Sequence, residues 1–187
     1  FDLGNPRIMT SNEALQLEDV PERLLIVGGG YIGMELGTVY AALGSRVFVI
    51  EAMDTILKGA DPDLVSPVLK YAQKNFQQMR VSTRVQSMAT RHKQIEVVVE
   101  GGGQTLTELY DRVLICVGRS PNGEDLGLEN TRVERDDKGF IKVNERQQTA
   151  DPAIGAIGDI VGGALLAHKA HKEARIAIEV LAGEDLD

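Results

Sequence analysis

Leu24-Leu-Ile-Val-Gly28-Gly-Gly30-Tyr31-Ile-Gly33, followed by Val47-Phe-Val-Ile-Glu51, decides the fold. Leu24 to Val27 is an unbroken apolar run bounded by glycines, the pattern of a strand covered on both faces of a parallel sheet. Helical spacing begins directly afterwards: Ile32, Leu36, Val39, Tyr40 and Leu43 recur at intervals of three and four, and Gly44 supplies the stop. Val47 to Ile50 is a second buried strand, closed by Glu51. Strand, glycine turn, helix and strand therefore follow one another without a gap.

The glycines match G-x-G-x-x-G, and each has a separate task. Gly28 permits a tight turn, Gly30 leaves no side chain where a pyrophosphate must approach the backbone, and Gly33 lets the helix lie close on the strand. The helix N-terminus adds free N–H groups and a partial positive charge. Glu51 stands 18 residues beyond Gly33, where a carboxylate can accept both hydroxyls of an adenosine ribose. The same carboxylate repels a 2′-phosphate, and no Arg follows in Ala52-Met-Asp-Thr-Ile-Leu57. The expected ligand is NAD rather than NADP.

Working outward, residues 1–22 mix Gly, Pro, Asn, Asp and Glu and read as a connecting arm. Asp61-Pro62 opens a helix with Leu64, Val65, Val68, Leu69, Ala72 and Phe76 on one side, and Pro67 sits awkwardly inside it. From Val81 the period becomes two: Val81 to Val85, Ile95 to Glu100 and Thr105 to Leu109 form an antiparallel meander turning at Gly101-Gly-Gly103. Val113 to Val117 is again a continuous apolar strand. Short strands at Phe140 to Val143 and Ala153 to Ile157 precede a helix from Leu165 to Ala182, stopped by Gly183. The fold class is α/β, a Rossmann-like parallel sheet with an antiparallel β-meander crossover, plus an incomplete second domain segment.

Composition narrows the functions. A net charge of -8 lacks the clustered Lys and Arg of a nucleic-acid or anionic-membrane surface. No apolar run reaches the ~18 residues that span a bilayer, so a cytoplasmic protein is expected. Cys116, the only cysteine, lies in an apolar run and reads as core; it can form no internal disulfide. The opening at Phe1, without Met and inside a loop-like stretch, suggests a fragment.

Three ordered motifs extend the argument: Val27-Gly-Gly-Gly-Tyr-Ile-Gly-Met-Glu35, Ile115-Cys-Val-Gly-Arg-Ser-Pro-Asn122, and Ala156-Ile-Gly-Asp-Ile160 with Leu166-Ala-His-Lys-Ala170. Together they resemble the flavin-dependent pyridine nucleotide-disulfide oxidoreductases over nearly the whole chain, and among these the members that oxidise dihydrolipoamide. The resemblance implies an NAD-binding domain at 23–120 and a returning segment of an FAD-binding domain at 121–187. It implies that Gly28, Gly30, Gly33 and Glu51 hold NAD, that Glu35 approaches the nicotinamide, and that Tyr31 gates its pocket. Val85 resembles an adenine contact, with a plain strand valine an equal reading. Gly118 matches a glycine beside the dinucleotide. Asp159 resembles the acid that bonds the FAD ribityl chain, with Leu165, Leu166 and Ala167 at the flavin edge.

His168 is read as packing or capping near the flavin, because the family's acid-base histidine lies in a further C-terminal domain, and His171 as sharing a helix face with Ala167 rather than offering a metal site, with no third ligand in the sequence neighbourhood. That domain, a second glycine fingerprint and the Cys-x-x-x-x-Cys redox disulfide are not in these residues. The chain is therefore expected to be catalytically inactive alone and free of FAD, with an apolar face at 145–187 left for an absent partner. The implied partners of the full protein are components of 2-oxoacid dehydrogenase complexes and a second copy in a homodimer. The same segment of mercuric reductase or an NADH-dependent flavin oxidase, and a stand-alone dinucleotide-binding module, remain open alternatives.

Overall fold

A computed structural model describes residues 4–183. In chain order its elements are β1 (Ile8–Met9), α1 (Ser11–Gln16), β2 (Arg23–Val27), α2 (Tyr31–Ala42), β3 (Arg46–Ile50) and α3 (Pro62–Asn75), then β4 (Gln78–Arg80), β5 (Thr83–Arg91), β6 (Gln94–Gly101), β7 (Gln104–Tyr110), β8 (Arg112–Ile115) and α4 (Ala167–Leu181). Short 3-10 helices lie at Leu128–Asn130 and Gly158–Val161. The chain divides into two units between Val117 and Gly118.

The first unit is built on a five-stranded sheet in the order β1-β8-β2-β3-β4. Every pairing in it is parallel. Strand β2 shows why the apolar run is continuous. Leu24 and Ile26 face a cluster with Met34, Leu36, Tyr40, Ala72 and Phe76 from the helical side. Leu25 and Val27 face the opposite way, into a cluster with Ile95, Val97, Val99 and Tyr110 of the meander β5-β6-β7. Successive side chains of a strand point to opposite faces, so a sheet covered on both faces needs apolar residues at every position. Leu24, Leu25 and Ile26 are fully buried, and each contributes roughly 1.5–3 kcal/mol relative to exposure. In β6 the alternation is plain, with Ile95, Val97 and Val99 inward.

Several expectations need correcting. Helix α2 buries Gly33, Met34, Leu36, Gly37 and Tyr40, whereas Val39 and Leu43 are about half exposed. Its contact face is set by glycines: a Cβ on Gly37 would lie 2.9 Å from Ile26 Cδ1 and 3.0 Å from Phe76 Cζ. In α3, Leu64 is 70% exposed, and Pro67 is inside the helix, so the helix does start at Pro62. Asp61 is the N-cap position, but its side chain makes no capping bond. The stretch 81–85 is not one strand. Gln78–Arg80 pairs in parallel with β3, and the chain then turns at Ser82 (φ 48) before β5 begins. The arm carries an edge strand, β1, and α1, which opens with a Thr10–Glu13 capping box. Buried Tyr40 donates to Ala14 O at 2.8 Å and fastens α1 to α2.

In the second unit, the expected strands at 140–143 and 153–157 are only isolated bridges, Arg135 with Ile141 and Gln148 with Gly155. The helix expected from Leu165 begins at Ala167, and α4 buries none of its residues; Ile178 is 65% and Leu181 81% exposed. Lys169 and Glu173 form an ion pair of 2.7 Å on α4. They also bracket the main chain of one residue: Gly158 N–H donates to Glu173 at 2.7 Å, and Lys169 Nζ donates to Gly158 O at 3.1 Å.

Candidate functional site

The glycine turn leaves the C-terminal end of β2, the edge of an open α/β sheet where ligands bind. Gly28 has φ 109, and a Cβ there would lie 2.4 Å from Cys116 O. A Cβ on Gly33 would lie 2.1 Å from Gly28 O. Both glycines are thus demanded by backbone against backbone. Gly30 is different. It is the N-cap of α2, it supplies no side-chain cap, and a Cβ there would meet nothing within 4 Å. The first turn of α2 carries no acidic residue of its own, so the helix's own side chains put no negative charge at its phosphate-attracting end.

Glu51 closes over this turn. Its carboxylate accepts Gly29 N–H at 2.6 Å through Oε2 and Met53 N–H at 2.7 Å through Oε1. A Cβ on Gly29 would lie 3.3 Å from that carboxylate and 2.8 Å from Ile56 Cγ2, so the middle glycine of the run is required too. The main chain of Glu51 is equally fixed, since its N–H donates to Arg80 O at 2.9 Å and its C=O accepts Thr83 N–H at 2.9 Å.

Tyr31 and Glu35 lie one turn apart on the exposed face of α2. With Leu57, Leu64 and Val68 they line an open groove of about 620 Å³ between α2 and α3. Val85 packs in the meander cluster, two residues past Thr83. Gly118 (φ 84), Asp159, Leu165, Leu166 and Ala167 belong to the second unit. There Asp159, on the Gly158–Val161 turn, is ion-paired with Arg119. His168 and His171 are exposed, and among the described residues no group of three or more His, Cys, Asp or Glu is arranged to hold a metal. No described helix is long and apolar enough to cross a membrane.

Cys116 is half-buried, and burial pushes its thiol up to about 11. Burial also raises the Tyr110 phenol, with Glu108 adding to the effect. Sequence reasoning missed Gly29, Met53 and the Cys116 carbonyl. The three-glycine run offered a hint of the first, but a backbone N–H or C=O has no signature in residue type.

A family model described as pyridine nucleotide-disulphide oxidoreductase matches residues 2–174. The chain belongs to that family. The chain is 46% identical over 180 residues to the dihydrolipoyl dehydrogenase of Haemophilus influenzae, covering 96% of the chain and 37% of that relative. It is 40% identical over 183 residues to that of Geobacillus stearothermophilus, covering 98% of the chain and 39% of that relative. Among solved structures, the HOCl-induced flavoprotein disulfide reductase RclA from Escherichia coli matches with TM-score 0.84 at 28% identity, over 98% of this chain and 41% of that one. LpdA from Mycobacterium tuberculosis matches with TM-score 0.84 at 26% identity, over 96% and 38%. The chain therefore spans less than two fifths of the length of the curated relatives quoted.

Proposed function

We propose that this chain is the NAD(H)-binding part, with a returning FAD-domain segment, of a dihydrolipoyl dehydrogenase. The observation that carries the reading is the Glu51 carboxylate held beside the glycine turn. It presents an anionic acceptor at the strand tip next to a helix end that attracts phosphate. In this reading residues 23–120 form the NAD domain, 121–187 belong to the FAD domain, and 1–22 connect to it.

NAD, when bound, supplies the electron acceptor; the residues here bind and orient it. Gly28, Gly30 and Gly33 admit the diphosphate to the α2 N-terminus, and Glu51 takes the ribose hydroxyls. Val85 and Gly118 contribute contacts along the dinucleotide. Tyr31 and Glu35 border the nicotinamide end. Asp159 fits a hydroxyl of the FAD ribityl chain and would share its charge with Arg119, while Leu165, Leu166 and Ala167 border the flavin. In the longer protein, a redox disulfide and FAD would supply the electron-transfer chemistry from dihydrolipoamide to NAD, and the residues here would serve it by binding and orienting the cofactors. The partners of that protein are 2-oxoacid dehydrogenase complex components and a second copy of itself. Its compartment is the cytoplasm, where a lone thiol such as Cys116 stays reduced.

Titration of the 187-residue chain with NADH and NADPH by calorimetry tests the reading. Saturable binding with NADH the tighter ligand is expected. Tighter NADPH would remove the role given to Glu51.

A further inference from the structure

Glu51 is held by a corner of chain that is itself tied down from another sheet. Arg80, Val81, Ser82 and Thr83 link β4 of the parallel sheet to β5 of the meander. Arg80 O accepts Glu51 N–H at 2.9 Å, Ser82 N–H donates to Met53 O at 2.7 Å, and Thr83 N–H donates to Glu51 O at 2.9 Å. Met53 is thus fixed by the corner, and its own N–H grips the Glu51 carboxylate at 2.7 Å. The corner contains a strained position, since Ser82 has φ 48, a conformation that a non-glycine residue keeps only where its surroundings enforce it.

One charged pair spans from this corner to the meander. Arg80 Nη1 donates to Glu108 Oε2 at 2.6 Å, and the two side chains are only 21% and 25% exposed. Tyr110 OH donates to the same oxygen at 3.1 Å. The Tyr110 ring is buried edge-on against Phe48 of β3, with centroids 5.2 Å apart. The far end of the pair is therefore rigid, and an ion pair anchored at a rigid end transmits that rigidity to the corner.

We propose that the Arg80–Glu108 pair is a positioning pair for ribose recognition: it holds the 80–83 corner so that Met53 N–H keeps the Glu51 carboxylate aimed at the ribose hydroxyls. This rests on the dinucleotide reading above. Arg80 does not touch the ligand in this scheme; it acts through Met53 and Glu51.

The test measures NADH and NADPH affinities of the full 187-residue chain and its R80M, E108L, R80K and R91M variants, each checked by thermal melt. A positioning pair requires R80M and E108L to shift NADH affinity in the same direction, weakening it about three- to tenfold, the loss of roughly one hydrogen bond. A long-range charge effect requires opposite shifts, because one variant removes a cation and the other an anion. R80K, which keeps the ion pair, retains near-parental binding. R91M removes a more exposed meander charge from the Arg91–Glu96 pair and leaves binding unchanged. Amide exchange at Met53 quickens in R80M without ligand. Should R80M melt below the assay temperature, E108L and R80K decide by the same readout. Opposite shifts, or unchanged NADH affinity in folded variants, overturn the pair's role while leaving the dinucleotide reading intact. Failure of the unaltered chain to bind either nucleotide removes the reading and this inference together.

Discussion

The main-chain N–H of Gly29 donates to the carboxylate of Glu51 at 2.6 Å. That bond joins the turn leaving β2 to the tip of β3, so the acid is oriented before any ligand arrives. A preoriented acceptor loses little side-chain entropy on binding. It also resists swinging aside for a 2′-phosphate. Replacing it by E51Q removes the charge but keeps an acceptor. NADH affinity is expected to fall about tenfold, the worth of one charge-assisted hydrogen bond, while NADPH affinity changes little or rises. Paired calorimetric titrations check this, and an unchanged ratio would count against ribose recognition by Glu51.

Gly30 and Gly33 are expected to respond in opposite ways to the same methyl group. G33A drives a Cβ to 2.1 Å from Gly28 O, a backbone atom that cannot move aside. A loss of about 1–3 kcal/mol or more is expected on denaturant unfolding. G30A sits at φ -78 with open space around it, so stability should hold. Its methyl group would occupy the diphosphate approach, and NADH binding should weaken instead.

Pro67 lies inside the continuous helix α3, on an exposed face. P67A restores an N–H to the helix and relieves the ring against the preceding turn, so a gain of ~1–3 kcal/mol in unfolding free energy is expected. An unchanged or lower melting temperature would show that the helix had adapted fully to the proline.

Cys116 should alkylate slowly at neutral pH. Its thiol is pushed up to about 11 by burial, from an ordinary value of 9.0. The reactive thiolate of the folded chain thus appears near pH 11, and that of the unfolded chain near 9. Below pH 9 both states keep a neutral thiol and the contribution to stability is fully present. Between 9 and 11 only the unfolded chain ionises, so stability falls as pH rises. A rate-pH profile with a reagent such as iodoacetamide, run with and without denaturant, measures both midpoints.

Much of the first unit was legible because its signals are local. Val27, Gly28, Gly30 and Gly33 announce a strand, a turn and a helix within a few residues, and Glu51 marks the next strand's end. Strand β4 was not legible. Gln78-Met-Arg80 is polar and short, and it is a strand only because β3 offers it a parallel edge. The buried face of α2 was misjudged for a related reason. Hydrophobic spacing selects Val39 and Leu43, but contact distance selects Gly33 and Gly37, whose missing side chains let α2 approach Ile26.

The sequence by itself determined the family pattern, the order of elements in the nucleotide fold and the chemical type of each candidate contact, since these depend on residue identity and short-range spacing. Only the tertiary structure decided that Gly29 and Met53 orient Glu51, that Cys116 O walls the turn, and that Arg80 reaches Glu108. Those relationships join backbone atoms and side chains far apart along the chain, where no local preference constrains them and packing alone brings them within reach.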